Sequence, residues 1–388
     1  MLVPMGEGPL IYIVAAERSG DLLGAGLIDA LRARENENYR FSGIGGNAMA
    51  KAGVASDIDI DGLSILGFVE GLKAYGLVKQ KVSEAVENIL RAKPAVVVLV
   101  DSWGFTLRVA QAVRAAAPDI KLVKYVGPQV FATRPGRAKT LAATVDHLLT
   151  ILSFDAPFYR QHGLPVTFVG NPTLERPLSG NGAQFRLRHN ITPDADILIV
   201  LPGSRPSEIK RLYEPFSRSI DLLGDTVRPV LVLADPISDM VHLRLAKDPR
   251  WKHAVVVPET EKADAFSAAD LALACSGTVV TELATAGIPT VTAYKLGWIT
   301  WAIIRGLRVL KSRFISLVNI AADKALVPEI VQTRCTGKII ARELQALLDN
   351  PEDRLALSKQ LQETTDRMRG EGEASERAAA AIAGILVQ

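Results

Sequence analysis

Short apolar runs alternate with helix-like stretches along this chain, in two successive series, and that alternation leaves few folds open. The first series reads LIYIVAA (10–16), AVVVLVD (95–101), IKLVKYV (120–126), DHLLTIL (146–152) and PVTFV (165–169). It stops at Gly170, Asn171 and Pro172, and after a polar stretch a second series runs through 196–201, 228–234, 253–257, 269–275 and 288–293. Near-continuous Val/Ile/Leu runs of this kind suit parallel strands buried on both faces, and the stretches between them, such as 20–33 and 105–116, suit crossover helices. The expectation is an α/β protein of two Rossmann-like doubly wound domains facing a cleft, with ligands at the C-terminal strand ends. A chain of 388 residues is also too long for one ordinary core. The predicted domains are 1–172 and 173–354. The helical C-terminal stretch, from about 355 to 388, is expected to pack back on the first.

Charge and cysteine content exclude several classes. Lys plus Arg number 45 against 42 Asp plus Glu, so a net charge of +3 gives no electrostatic case for nucleic acid. Cys275 and Cys335 form neither a metal-ligand spacing nor a disulfide framework, which fits a reducing cytoplasm. No basic segment precedes the first apolar run, against a signal peptide. No run reaches the ~18 apolar residues of a spanning helix. The mean hydropathy of +0.18 still leaves apolar surface to face lipid.

Two strand–glycine–helix turns carry the chemistry. LPGSR (201–205) follows one apolar run, and SGTVVTE (276–282) follows another. A glycine turn at a strand's C-terminal end, opening a helix, presents free N–H groups and the positive end of the helix dipole to phosphate. Arg205 adds a bidentate grip suited to a diphosphate. Glu282 stands where a carboxylate can accept a ribose hydroxyl. Such turns also occur in α/β proteins that bind nothing.

The first series has its own loops. AERSGD (16–21) brings Glu17 to a strand end and starts a helix that Ser19 or Asp21 can cap, so binding and capping both remain open for it. GIGGN (43–47) allows close backbone approach at Gly46. Asp101 ends its strand, a position that suits a general base and equally a helix cap. YVGPQVFATRPGR (125–137) mixes aromatics with Arg134 and Arg137, suiting phosphate or lipid headgroups or, equally, a solvated helix start.

Taken in order, these strings resemble the lipid-A-disaccharide synthases from about residue 10 to 385. The matches are Glu17, Ser19, Gly20 and Asp21 followed by LLGAGL; Gly43 and Gly46; Leu66, Gly67 and Glu70; Asp101; Tyr125 and Pro128; LPGSR with Glu208; Ser276, Gly277, Thr278 and Glu282; Ser316, Leu317 and Asn319; and Val327 to Gln332. The chain departs from the family pattern at Ala16, at Trp103, Gly104 and Thr106, at Asn171 and at Val318. The resemblance implies a GT-B glycosyltransferase that moves 2,3-diacylglucosamine from UDP-2,3-diacylglucosamine to 2,3-diacylglucosamine 1-phosphate (lipid X), with inversion and with neither metal nor cofactor. It implies that Gly203, Ser204, Arg205, Ser276, Gly277, Thr278, Glu282 and Asn319 hold UDP. Asp101, aided by Glu17, is the implied base toward the acceptor's 6-hydroxyl, and Ser19, Gly46, Glu70, Tyr125 and Arg134 line the acceptor. The competing readings are another UDP-sugar enzyme of this fold, such as a UDP-N-acetylglucosamine epimerase, and a non-catalytic lipid-binding relative.

Lipid substrates call for a membrane-facing surface. The stretch 294–314 interleaves Trp298 and Trp301 with Arg305, Arg308 and Lys311, as a helix at an anionic interface does. The same pattern also fits an ordinary helix with solvated charges. The apolar segment 62–78 is a second candidate, for acyl chains. The expected location is cytoplasmic, peripheral to the inner membrane, with a homodimer allowed.

Overall fold

The computed structural model describes residues 8–34, 38–59, 71–175, 178–275, 277–298, 301 and 312–387, with the backbone alone at 71–75. The chain divides into two compact units: Met1–Pro172 with Arg369–Gln388, and Thr173–Met368.

The first unit is built on six parallel strands: β1 (Leu10–Ala15), β2 (Arg40–Ile44), β3 (Val96–Val100), β4 (Lys121–Tyr125), β5 (His147–Thr150) and β6 (Val166–Phe168). Their order is β2-β1-β3-β4-β5-β6. Ile13 of β1 is level with Val98 of β3, and Ala15 with Val100. Both faces of the sheet are covered, so its inner strands carry no polar alternation. On one face Ile11, Ile13 and Val98 meet Leu27 and Ile28 of the helix Arg18–Arg32 and Ala378, Ala379 and Ile382 of the helix Ala374–Val387. On the other, Tyr12, Val14, Val97 and Leu99 meet Phe105 and Val109 of the helix Trp103–Ala116.

The second unit repeats the plan with β7 (Asp196–Leu201), β8 (Val227–Leu233), β9 (Val255–Pro258), β10 (Leu271–Cys275), β11 (Thr290–Tyr294) and β12 (Glu329–Val331), in the order β12-β11-β10-β7-β8-β9. The helix Pro206–Leu223 buries Ile209, Leu212, Phe216, Ile220 and Leu223, a 3–4 spacing that puts one stripe on the sheet. The expected pair of doubly wound α/β units is therefore present.

Each sheet reverses its winding once. In the first, the chain steps outward from β1 to β2, then returns so that β3 lies on the other side of β1. In the second, β10 lies across β7 from β8. The gaps between β1 and β3, and between β7 and β10, are the topological switch points where open α/β sheets take ligands.

The C-terminal helices part company. Leu361 in the helix Pro351–Arg369 belongs to the second unit's core, and Arg354 pairs with Asp196 at 2.9 Å. The return to the first unit begins at Arg369 rather than near 355. A clasp holds it: Arg377 donates to the carbonyls of Val169 (2.7 Å), Gly372 (2.9 Å) and Arg369 (2.9 Å). Gly170 sits under this clasp at φ +86°, and a Cβ there would stand 1.8 Å from the Arg377 guanidinium.

Candidate functional site

Glu17 follows β1 and Asp101 follows β3, so the first unit's switch point is flanked by two carboxylates. Ser19 ties the loops together: its Oγ donates to Asp101 Oδ2 at 3.1 Å. Asp101 and Ser102 both adopt left-handed backbone, at φ 47° and 40°. Two consecutive non-glycine residues in this region need support from their surroundings. The Asp101 N–H donates to Tyr125 O at 2.8 Å. Below, Thr106 Oγ1 lies 2.8 Å from the Asp101 carbonyl and 3.0 Å from that of Ser102. The Lys124 ammonium donates to the same Asp101 carbonyl, and to Thr106 Oγ1 at 2.8 Å. Burial pulls Lys124 down to about 7, against the attraction of Asp101 and Glu17. Lys124 escaped the sequence reading. Its only signal was a lysine inside the apolar run IKLVKYV.

Several predicted roles change. Neither Ser19 nor Asp21 caps the helix Arg18–Arg32; Glu17 takes the N-cap position in extended backbone without a side-chain bond. Asp21 is buried and caps a different helix, Asn47–Lys51. Its Oδ1 accepts from the N–H groups of Gly46 (2.7 Å) and Met49 (3.0 Å), and its Oδ2 from Ala48 (2.8 Å). The Gly46 N–H is thereby committed to the protein. Tyr125 is 1% exposed and sits in the core rather than on an open surface. Arg134 is exposed in left-handed backbone, φ 50°, while the Arg137 guanidinium stacks 5.1 Å over the Trp103 ring. Glu70 lies outside the described residues.

In the second unit a cavity of about 420 Å³ lies at the β7/β10 switch point. Gly203, Ser204, Arg205, Gly277, Thr278 and Glu282 line it, so both glycine turns open on one space. Gly203 holds φ +118°, and a Cβ there would come within 2.5 Å of the Glu208 carboxylate. That contact reflects a departure from expectation. The N–H groups of Ser204 and Arg205 are not free for phosphate; both donate to Glu208 Oε2, at 3.0 and 3.2 Å. A glutamate at the third helical position reaches back to the uncapped end, half of a capping box. The Arg205 side chain stays 78% exposed at the cavity rim. Glu282 is fixed by an ion pair with Lys262 at 2.8 Å. Burial opposes the Lys262 charge, but Glu282 and Glu259 outweigh it and hold the ammonium above the ordinary lysine range. Lys262 and Glu259, which also line the cavity, were not singled out in the sequence. Burial pushes the Cys275 thiol, also in the lining, up to about 12.

Asn319 is not at this cavity. It is fully buried, donating to Val327 O (2.8 Å) and Glu329 Oε1 (2.9 Å) and accepting from the Val327 N–H (2.8 Å). The segment Val327 to Gln332 is scaffolding of the same sort. Glu329 binds the N–H groups of Ile315 and Ser316, and Gln332 pairs with both backbone groups of Leu296. Trp298 is 64% exposed and Trp301 half-buried, while Ser276, Arg305, Arg308 and Lys311 lie outside the described residues. Among the described residues no helix is long and apolar enough to cross a membrane.

A sequence model of the family described as lipid-A-disaccharide synthetase matches residues 11–385. The lipid-A-disaccharide synthase of Rhodospirillum centenum is 36% identical over 386 residues, covering 98% of this chain and 95% of that protein. The enzyme of the same name from Paramagnetospirillum magneticum is 37% identical over 389 residues, covering 98% of each. Among solved structures, a putative UDP-N-acetylglucosamine 2-epimerase from Listeria monocytogenes superposes with a TM-score of 0.67 at 13% identity, covering 98% of this chain and 97% of that one. At that identity the likeness is one of fold, the two-domain GT-B type.

Proposed function

This chain belongs to the lipid-A-disaccharide synthetase family, and we propose on that basis that it transfers 2,3-diacylglucosamine from UDP-2,3-diacylglucosamine to 2,3-diacylglucosamine 1-phosphate. It is a glycosyltransferase of lipid A biosynthesis and takes lipid A precursors as substrates. In the proposed step Asp101 Oδ1 removes the proton of the acceptor's 6-hydroxyl. The oxygen attacks the anomeric carbon of the donor, the bond to UDP breaks, and the configuration inverts. Ser19 occupies the other oxygen of Asp101, which directs the base.

The second unit supplies the donor site in this reading. Arg205 meets the diphosphate whose charge grows as UDP departs, and Glu282, steadied by Lys262, accepts the ribose hydroxyls. The observation that carries the assignment is that both glycine turns line a single cavity at a switch point. Work at the cytoplasmic face of the inner membrane follows from the lipid nature of both substrates, and the exposed Trp298 supports it. Incubation with UDP-2,3-diacylglucosamine and the acceptor monophosphate should give disaccharide 1-phosphate and UDP in equal amounts. Release of UDP without disaccharide, or epimerisation of UDP-N-acetylglucosamine instead, would overturn the proposal.

A further inference from the structure

Lys124 is the only buried lysine among the described residues, 3% exposed in the middle of the first sheet. Its partners in register are Leu99 on β3 and Leu148 on β5. An ammonium between two leucines is costly unless its protons find acceptors. Here they find the Asp101 carbonyl and Thr106 Oγ1. Thr106 is in turn within hydrogen-bond reach of the carbonyls of Asp101 and Ser102, the two residues held in left-handed backbone.

We infer that Lys124 is a positioning residue, whose ammonium, together with Thr106, clamps the Asp101–Ser102 turn and fixes the direction in which Asp101 presents its carboxylate. The inference rests on the reading of Asp101 as the base. The charged groups that act on the ammonium are Asp101, from the end of β3, and Glu17, from the end of β1. The facing helix contributes Thr106, and the flanking strands contribute leucines. Because burial brings Lys124 to about 7, the clamp loses its cation within the ordinary working range of pH. A neutral amine is a weaker donor than an ammonium, so the hold on the carbonyls slackens as pH rises.

The test compares Lys124→Met with the parent and with Asp101→Asn, using the donor and acceptor lipids in vesicles from pH 6 to 9. Lys124→Met should lower kcat by about tenfold to a hundredfold while leaving UDP affinity within about twofold. The parent's kcat should decline through an inflection near pH 7 that the variant lacks; titration of the acceptor phosphate is common to both and cancels. Asp101→Asn should be slower by about 10²–10⁴-fold. Full turnover in Asp101→Asn would remove the base, and the clamp with it. An inactive Asp101→Asn beside a Lys124→Met that matches the parent in rate and pH profile would overturn the clamp alone. Should Lys124→Met not fold, the parent labelled with ¹³C at lysine Cε decides. One lysine signal should titrate near pH 7 and move lower in Asp101→Asn. No lysine titrating in that range would overturn the inference.

Discussion

Asp155 is 1% exposed, and its Oδ1 has no hydrogen-bond partner among the described residues. Burial raises its carboxyl from 3.8 to about 7, with the Thr150 hydroxyl on Oδ2 opposing. Between those values the folded chain holds a proton that the unfolded chain has released, so stability falls as pH rises from about 4 to about 7. Above pH 7 the full cost of the buried charge is present, on the order of a few kcal/mol. Asp155→Asn removes that charge. Urea denaturation should show the variant gaining on the parent between pH 4 and pH 8; a stability difference independent of pH would show that Asp155 does not titrate this way. Residues of this kind are poorly legible in sequence. Asp21 reads as a cap for its own helix, and Lys124 and Asp155 look like surface charges one at a time. Their roles arise from partners 27, 23 and 5 positions away, which only the folded chain brings near.

At the scale of elements, the inner strands were legible because burial on both faces leaves an uninterrupted apolar run. Of the four edge strands, β6 and β9 still read as apolar runs, whereas the half-polar β2 (RFSGI) and the three-residue β12 (EIV) did not. The glycine turns were legible as turns, but the occupant of the LPGSR amides was not. Sequence spacing put Glu208 three residues beyond Arg205, and only the structure showed its carboxylate on those N–H groups. In the proposed donor site this leaves the Arg205 side chain, exposed at the rim, rather than the amides of its own turn to meet the diphosphate. Arg205→Ala should therefore weaken UDP binding by roughly 1.5–3 kcal/mol, the value of a hydrogen bond to a charged group. Glu282→Gln should do the same by replacing the charged acceptor of the ribose hydroxyls with a neutral amide. Calorimetry with UDP reads both, and unaltered affinity in both variants would move the donor site elsewhere.

For the whole molecule, the remaining question is how a protein with no spanning helix among its described residues reaches lipid A precursors. The sequence pattern at 294–314 predicts adsorption to anionic vesicles. Replacing Arg305, Arg308 and Lys311 together by Ser should weaken it, at about 1 kcal/mol per charge lost near the surface. Salt should weaken the parent's binding as well, with a residue of binding surviving through Trp298. UDP affinity should not move. Flotation of the triple variant with vesicles as well as the parent would shift the contact to 62–78.

The clasp of Arg377 on Val169 has a consequence for how the protein is made. The first unit is interrupted in the chain by the whole of the second, and its layer Ala374–Val387 is synthesised only after that second unit. A ribosome threads out β1 to β6, then an entire second unit, before it delivers the alanine-rich helix that covers Leu27 and Ile28. Until that helix emerges, the apolar surface it covers stays open, and the second unit is free to complete its core first. The unit begun first is thus the one whose residues are completed last. A transcript truncated shortly after Met368 would yield a chain with both sheets encoded and one of them left open.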